Sequence, residues 1–164
     1  MQYNDRQNET NEQYSESTNM KWHKFLIYFS LWLSAALSVF NAVQMFTGMQ
    51  YGSAGDAQMI YMYFSGLKSI DIIMGIVSVG IAVYTIMVRF ALARYQAKGP
   101  RMLTTLYVLN MAHSVIYSLL ISFVCGIEIA ELFGSSEISS IVSTFFMIYI
   151  NKTYYGKRDY LFVN

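Results

Sequence analysis

The stretch Arg89-Phe-Ala-Leu-Ala-Arg-Tyr-Gln-Ala-Lys-Gly-Pro-Arg101 decides how this chain is arranged. It separates two long apolar runs and carries Arg89, Arg94, Lys98 and Arg101 without one acidic residue. Lysine and arginine accumulate in the short cytoplasmic loops of membrane proteins, so the stretch reads as a cytoplasmic hairpin. Its four cations are topology anchors on this reading, with contact to anionic lipid as the alternative use. Gly99-Pro100 ends one helix and opens the next. The residue before a proline is pushed out of the helical region, and proline itself suits a first helical turn.

Outward from the hairpin lie four apolar runs, at about 25–46, 70–88, 102–125 and 138–155. A spanning helix needs about 20 largely apolar residues. The first three runs meet this. The fourth is shorter and contains Ser139, Ser140, Ser143 and Thr144. It is still expected to span, because Phe145-Phe-Met-Ile-Tyr-Ile150 needs cover and Tyr154-Tyr-Gly-Lys-Arg158 resembles an interfacial belt with a helix stop. Composition agrees: 55% of the 164 residues are hydrophobic and 13% are charged, against about 25% charged in a soluble domain. The expected fold is all-α, a polytopic bundle of four transmembrane helices over residues 21–164. Residues 1–20, almost wholly polar, are expected to form a disordered tail.

The basic residues fall on one side of such a bundle. Arg6, Lys21 and Lys24 precede the first run, four lie in the hairpin, and Lys152, Lys157 and Arg158 close the chain. Of the 11 basic residues, only Lys68 lies on the other side, with Asp56, Glu128, Glu131 and Glu137. The expected location is therefore the plasma membrane, multi-pass, with both termini cytoplasmic. Lys21, Trp22, His23 and Lys24 read as the charged and aromatic edge of the first span.

The loop between the first two spans holds Gly48, Gly52 and Gly55, then Asp56 as a helix N-cap and an aromatic, Met-rich segment. That segment is either a short interfacial helix ended by Ser65-Gly66 or part of one long tilted helix. Gly134-Ser-Ser-Glu137 reads as a turn with a serine cap.

A polar seam runs through the spans. Ser30, Ser34, Ser38 and Asn41 recur at helical spacing on the first, and Asp71, Gly75, Ser78, Ala82, Thr85 and Arg89 on the second. Asn110, His113, Ser114 and Tyr117 share one side of the third. The candidate site residues are Asn41, Asp71, Asn110 and His113. Such a seam serves helix packing, through small residues and interhelical hydrogen bonds. Alternatively it lines a path or pocket, which intramembrane ionisable groups usually mark. Lys68, three residues before Asp71, is its expected ion-pair partner. Asn41 and Asp71 are expected at the same depth and within hydrogen-bonding reach. Asn41, Ser78, His113 and Ser143 are expected along one inner axis, with Leu31 facing lipid.

Catalytic and nucleotide motifs are absent: no Gly-x-Gly-x-x-Gly, no Gly-Lys-Ser, no His-Glu-x-x-His, no Gly-x-Ser-x-Gly. The single Cys125 excludes an internal disulfide and a Cys-x-x-Cys site. No cofactor, no metal and no nucleic-acid partner is expected. The partners are the lipid bilayer and either a second copy of the chain or another membrane protein.

Gly66-Leu-Lys68 with Asp71, the basic loop with Gly99-Pro100, and Tyr154-Tyr155 with Lys157-Arg158 and Leu161-Phe162 give the chain a family look. It resembles uncharacterised small four-span membrane proteins of low-GC Gram-positive bacteria, a resemblance that implies a fold and no activity. The function expected is a non-enzymatic scaffold or accessory subunit acting through helix contacts. The alternative is a small oligomeric transporter or channel using the seam.

Overall fold

The computed structural model describes residues 20–128 and 134–162, and among these the chain is helical without a strand. The predicted disordered tail, apart from Met20, and Glu131 lie outside the described residues. Helix α1 covers Lys21–Thr47, α2 Ala54–Tyr63, α3 Leu67–Ala93, α4 Gly99–Cys125 and α5 Ser135–Gly156, with short 3-10 turns at Met49–Tyr51 and Asp159–Leu161.

Helices α1, α3 and α4 have 27 residues each and are long and apolar enough to cross a membrane. Their length, about 40 Å at 1.5 Å per residue, exceeds a hydrocarbon core of about 30 Å. Their ends therefore reach beyond the apolar runs. Arg89, expected to close the second span, lies inside α3 instead, because its side chain has partners there. Its Nε donates to the Ile27 carbonyl at 3.1 Å, and its guanidinium sits 4.8 Å from the Trp32 ring centre. Leu26–Ser30 of α1 forms a π turn, which upsets the regular carbonyl pairing of the helix. Arg89 caps a carbonyl of that turn. Helix α5, with 22 residues, is long enough to cross, but its Ser, Thr, Asn and Lys content leaves it less apolar than the other three.

The helices pack in chain order, α1 on α3, α3 on α4 and α4 on α5. Helix α3 turns Asp71, Gly75, Ser78, Ala82 and Thr85 inward, all buried. The α1 face is corrected by the structure. Leu31, Ala35, Ser38, Ala42 and Met45 point in, so Leu31 is a core residue at 3% exposure and Asn41 is exposed. Ala42 is rotated about 100° from Asn41 on the helix, and alanine is what close backbone approach needs. The tightest point is Gly75, where an added Cβ would stand 2.6 Å from the Phe46 ring. Ser143 of α5 is exposed rather than axial.

Helix α1 stops at Gly48, whose φ of 73° suits glycine. An added Cβ there would lie 2.8 Å from Ala57 Cβ, so the glycine lets α2 fold back against the end of α1. Helix α2 is separate from α3, which excludes one continuous tilted helix. Ser53, not Asp56, is its N-cap: Ser53 and Asp56 form a capping box, and the Ser53 hydroxyl hydrogen bond holds the Asp56 carboxyl below its ordinary range. Gly134, not a serine, takes the N-cap of α5.

At the basic end the helices are clasped by side chains. His23, 1% exposed, packs among Tyr95, Tyr155 and Phe162, with Nδ1 3.0 Å from the Tyr155 hydroxyl. Trp22 Nε1 donates to Asn151 Oδ1 at 3.1 Å. Both residues are tied into the fold, not left at a lipid-facing edge. Tyr95 has φ 52°, a left-handed conformation that costs a non-glycine residue about 1 kcal/mol. Its ring contacts with His23 and Phe162 hold it there.

Candidate functional site

Asp71 lies one turn into α3 and is completely buried. An acid in that position needs donors, and three tyrosine hydroxyls supply them. Tyr61 of α2 donates to Oδ2 at 2.8 Å. Tyr117 of α4 donates to Oδ1 at 2.8 Å, and Tyr51 of the turn after α1 reaches the same oxygen at 3.3 Å. Gln50 Nε2 donates to the Tyr117 hydroxyl at 2.7 Å. Tyr51 and Tyr61 stack edge to face, 5.7 Å between centres. One carboxyl thus joins α2, α3, α4 and the turn that follows α1.

Burial pushes the Tyr51 hydroxyl up to about 12, and burial and the Asp71 hydrogen bond also raise Tyr61. Both remain protonated donors across the physiological range. Lys68, the expected partner of Asp71, is exposed on α3. The tyrosines occupy the oxygens it was expected to reach, because a buried acid gains more from donors already inside the bundle than from a solvated ammonium.

The next layer is built on His113 of α4. Its Nε2 lies 3.2 Å from the Met74 carbonyl and 3.1 Å from Ser78 Oγ. A carbonyl only accepts, so Nε2 carries the hydrogen. Ser78 Oγ in turn donates to Met45 Sδ at 4.0 Å. Asp71 and Ser78 are seven residues apart on α3, about 10 Å along the axis. The two layers form one polar column in which each donor meets an acceptor.

The structure brings Asp71 and His113 into this column and leaves Asn41 and Asn110 out of it. Asn41 does not share the depth of Asp71: Phe46 meets Gly75 and Met45 meets Ser78, so Asn41 lies further along α1, beyond the Ser78 level, with its side chain turned outward, and the tyrosines take the hydrogen bonds expected of it. Asn110 is exposed on α4, with Nδ2 donating to its own helix at Leu106. Asn41 and Asn110 instead line one open groove of about 330 Å³, with Ser30, Ser34 and Ser38 of α1. Tyr51, Tyr61 and Gln50 were not anticipated. Their signal in the sequence is slight: tyrosines and a glutamine in the segment that precedes an acid in an apolar helix. Among the described residues no three of His, Cys, Asp and Glu gather as metal ligands would.

No family model, no curated protein and no solved structure matches the chain.

Proposed function

We propose that the protein is a non-enzymatic component of the plasma membrane that works through helix contacts. Helix α5 completes a four-span bundle with both termini cytoplasmic, and α2 lies at the outer interface. The distribution of lysine and arginine supports that orientation. The exposed Met59, Met62 and Tyr63 support its placement, as large apolar and tyrosine side chains suit a membrane–water interface, while Tyr61 turns inward.

The observation that carries this reading is the saturation of Asp71. A transport path needs its ionisable group to meet water or cargo. Asp71 is buried and engaged by three hydroxyls from three elements, as expected of a joint between helices. The groove supplies the outward contact. Asn41 and Asn110 face hydrocarbon in a lone chain, and such amides are better satisfied by another helix than by lipid. The occupant we propose is a second copy of this chain. Copies inserted in the same orientation and related by a two-fold axis along the membrane normal meet at equal depth. An asparagine amide both donates and accepts, so Asn41 can pair with its own counterpart. Ser30, Ser34 and Ser38 allow the close approach.

Ion flux tests this against the conduit reading. Purified protein in liposomes should give the same proton and alkali-cation flux as protein-free vesicles, and Asp71→Asn should change nothing. Flux that depends on Asp71 would replace the contact reading with a transporter or channel.

A further inference from the structure

We propose that the hairpin between α3 and α4 holds the headgroup phosphate of one anionic phospholipid. The site is an open cavity of about 270 Å³ where the two helices meet. Arg94, Lys98 and Gln96 line its polar part, and Met87, Phe90 and Met102 its apolar part. No carboxylate lines it. Two cations and an amide without an acid recognise an anion. Guanidinium matches phosphate oxygens in a planar fork, and the lysine adds a point charge.

The apolar part selects the source of that phosphate. Met87 and Phe90 are 54% and 46% exposed on α3, on the hydrocarbon side of the cations. They continue the cavity into the layer where acyl chains lie. A free phosphate has no use for that wall, whereas a phospholipid places its headgroup on Arg94 and Lys98 and a chain along Met87 and Phe90.

The cavity is built into the fold. The Arg94 N–H bonds the Phe90 carbonyl at 3.0 Å, Gln96 N–H bonds Ala91 at 2.9 Å and Gly99 N–H bonds Gln96 at 2.8 Å. Tyr95, in its left-handed conformation, reverses the chain between the two cations, and its ring is pinned by His23 and Phe162. The backbone that carries Arg94 and Lys98 is thereby fixed, with both side chains exposed on one cavity. The site needs the chain to be inserted in a membrane but does not depend on the groove or on a second copy.

Native mass spectrometry of the full chain tests it, from neutral detergent micelles containing equal phosphatidylglycerol and phosphatidylcholine. The expected result is preferential retention of phosphatidylglycerol. The Arg94→Gln/Lys98→Gln variant should retain about thirtyfold less, the scale of two cations at an anionic headgroup. Lys24→Gln/Lys157→Gln, which removes the same charge from the same end outside the cavity, should retain as much as wild type. Equal loss in both variants would overturn the site in favour of diffuse electrostatics. Displacement by glycerol phosphate at a matching concentration would overturn the lipid in favour of free phosphate. Should the first variant not fold, a phosphatidylglycerol with a photoreactive headgroup decides on the wild-type chain: labelling within residues 87–102 supports the site, and labelling elsewhere overturns it.

Discussion

The Tyr61 hydroxyl stands 2.8 Å from Asp71 Oδ2 and, among the described residues, is the donor to that oxygen, whereas Oδ1 is shared by Tyr117 and Tyr51. This asymmetry orders the effect of removing each hydroxyl. Tyr61→Phe leaves one carboxyl oxygen without a donor and should cost about 1–3 kcal/mol. Tyr117→Phe should come close behind, since it removes a 2.8 Å bond and strands Gln50. Tyr51→Phe, at 3.3 Å on an oxygen that keeps Tyr117, should cost less than about 1 kcal/mol. Thermal unfolding in one detergent ranks the three, and a larger loss at Tyr51 than at Tyr61 would contradict the assigned geometry.

Gly75 and Gly80 both lie in α3 but differ in surroundings. A Cβ at Gly75 meets the Phe46 ring at 2.6 Å, whereas nothing lies within 4 Å of one at Gly80. Gly75→Ala should destabilise by about 1–3 kcal/mol through overpacking against α1. Gly80→Ala should be neutral or stabilising by up to about 1 kcal/mol, since alanine is the better helix former. Parallel unfolding curves check the contrast, and equal effects would mean that α1 and α3 do not approach at Gly75.

Alkali should loosen the Asp71 end of the bundle. The folded state holds Tyr51 neutral, with its pKa raised from 10 to about 12. Its contribution is therefore complete below pH 10 and is lost as pH rises through 12. Unfolding temperature followed beside the tyrosinate ultraviolet band should fall over that interval, and Tyr51→Phe should flatten the fall. An unchanged alkaline slope in the variant would remove Tyr51 from the account.

Orientation is tested by labelling. Gly55 is exposed at the start of α2, and a Cβ there meets only Ser53 Oγ, at 3.8 Å. Ala97 is exposed in the basic hairpin. With Cys125 replaced by serine, an impermeant maleimide on intact cells should modify Gly55→Cys and spare Ala97→Cys. The reverse pattern would invert the topology.

That α1, α3 and α4 are long and apolar enough to cross a membrane was legible, because each contains a run of about 20 apolar residues. The inner face of α3 was also legible, since Asp71, Gly75, Ser78, Ala82 and Thr85 are small or polar at helical spacing with bulky residues elsewhere. On α1 two stripes compete: Ser34 and Asn41 lie one position from Ala35 and Ala42, about 100° around the helix. Polarity favours the first stripe, and close packing against α3 selects the second. The tyrosine cage was not legible, because Tyr51 and Tyr61 reach Asp71 only after Gly48 turns α2 back on α1. Trp22 and Asn151, 129 residues apart, meet through the whole fold and leave no local signal.

The central claim, that the outward asparagine groove is a contact between copies, is tested most directly by disulfide crosslinking in native membranes. In a Cys125→Ser background, Asn41→Cys places a thiol in the groove, and Val83→Cys places one on an exposed face of α3 outside it. Mild oxidation should give a dimer from Asn41→Cys that a reductant reverses, and monomer from Val83→Cys. Monomer at position 41 under conditions that crosslink position 83 would contradict the account.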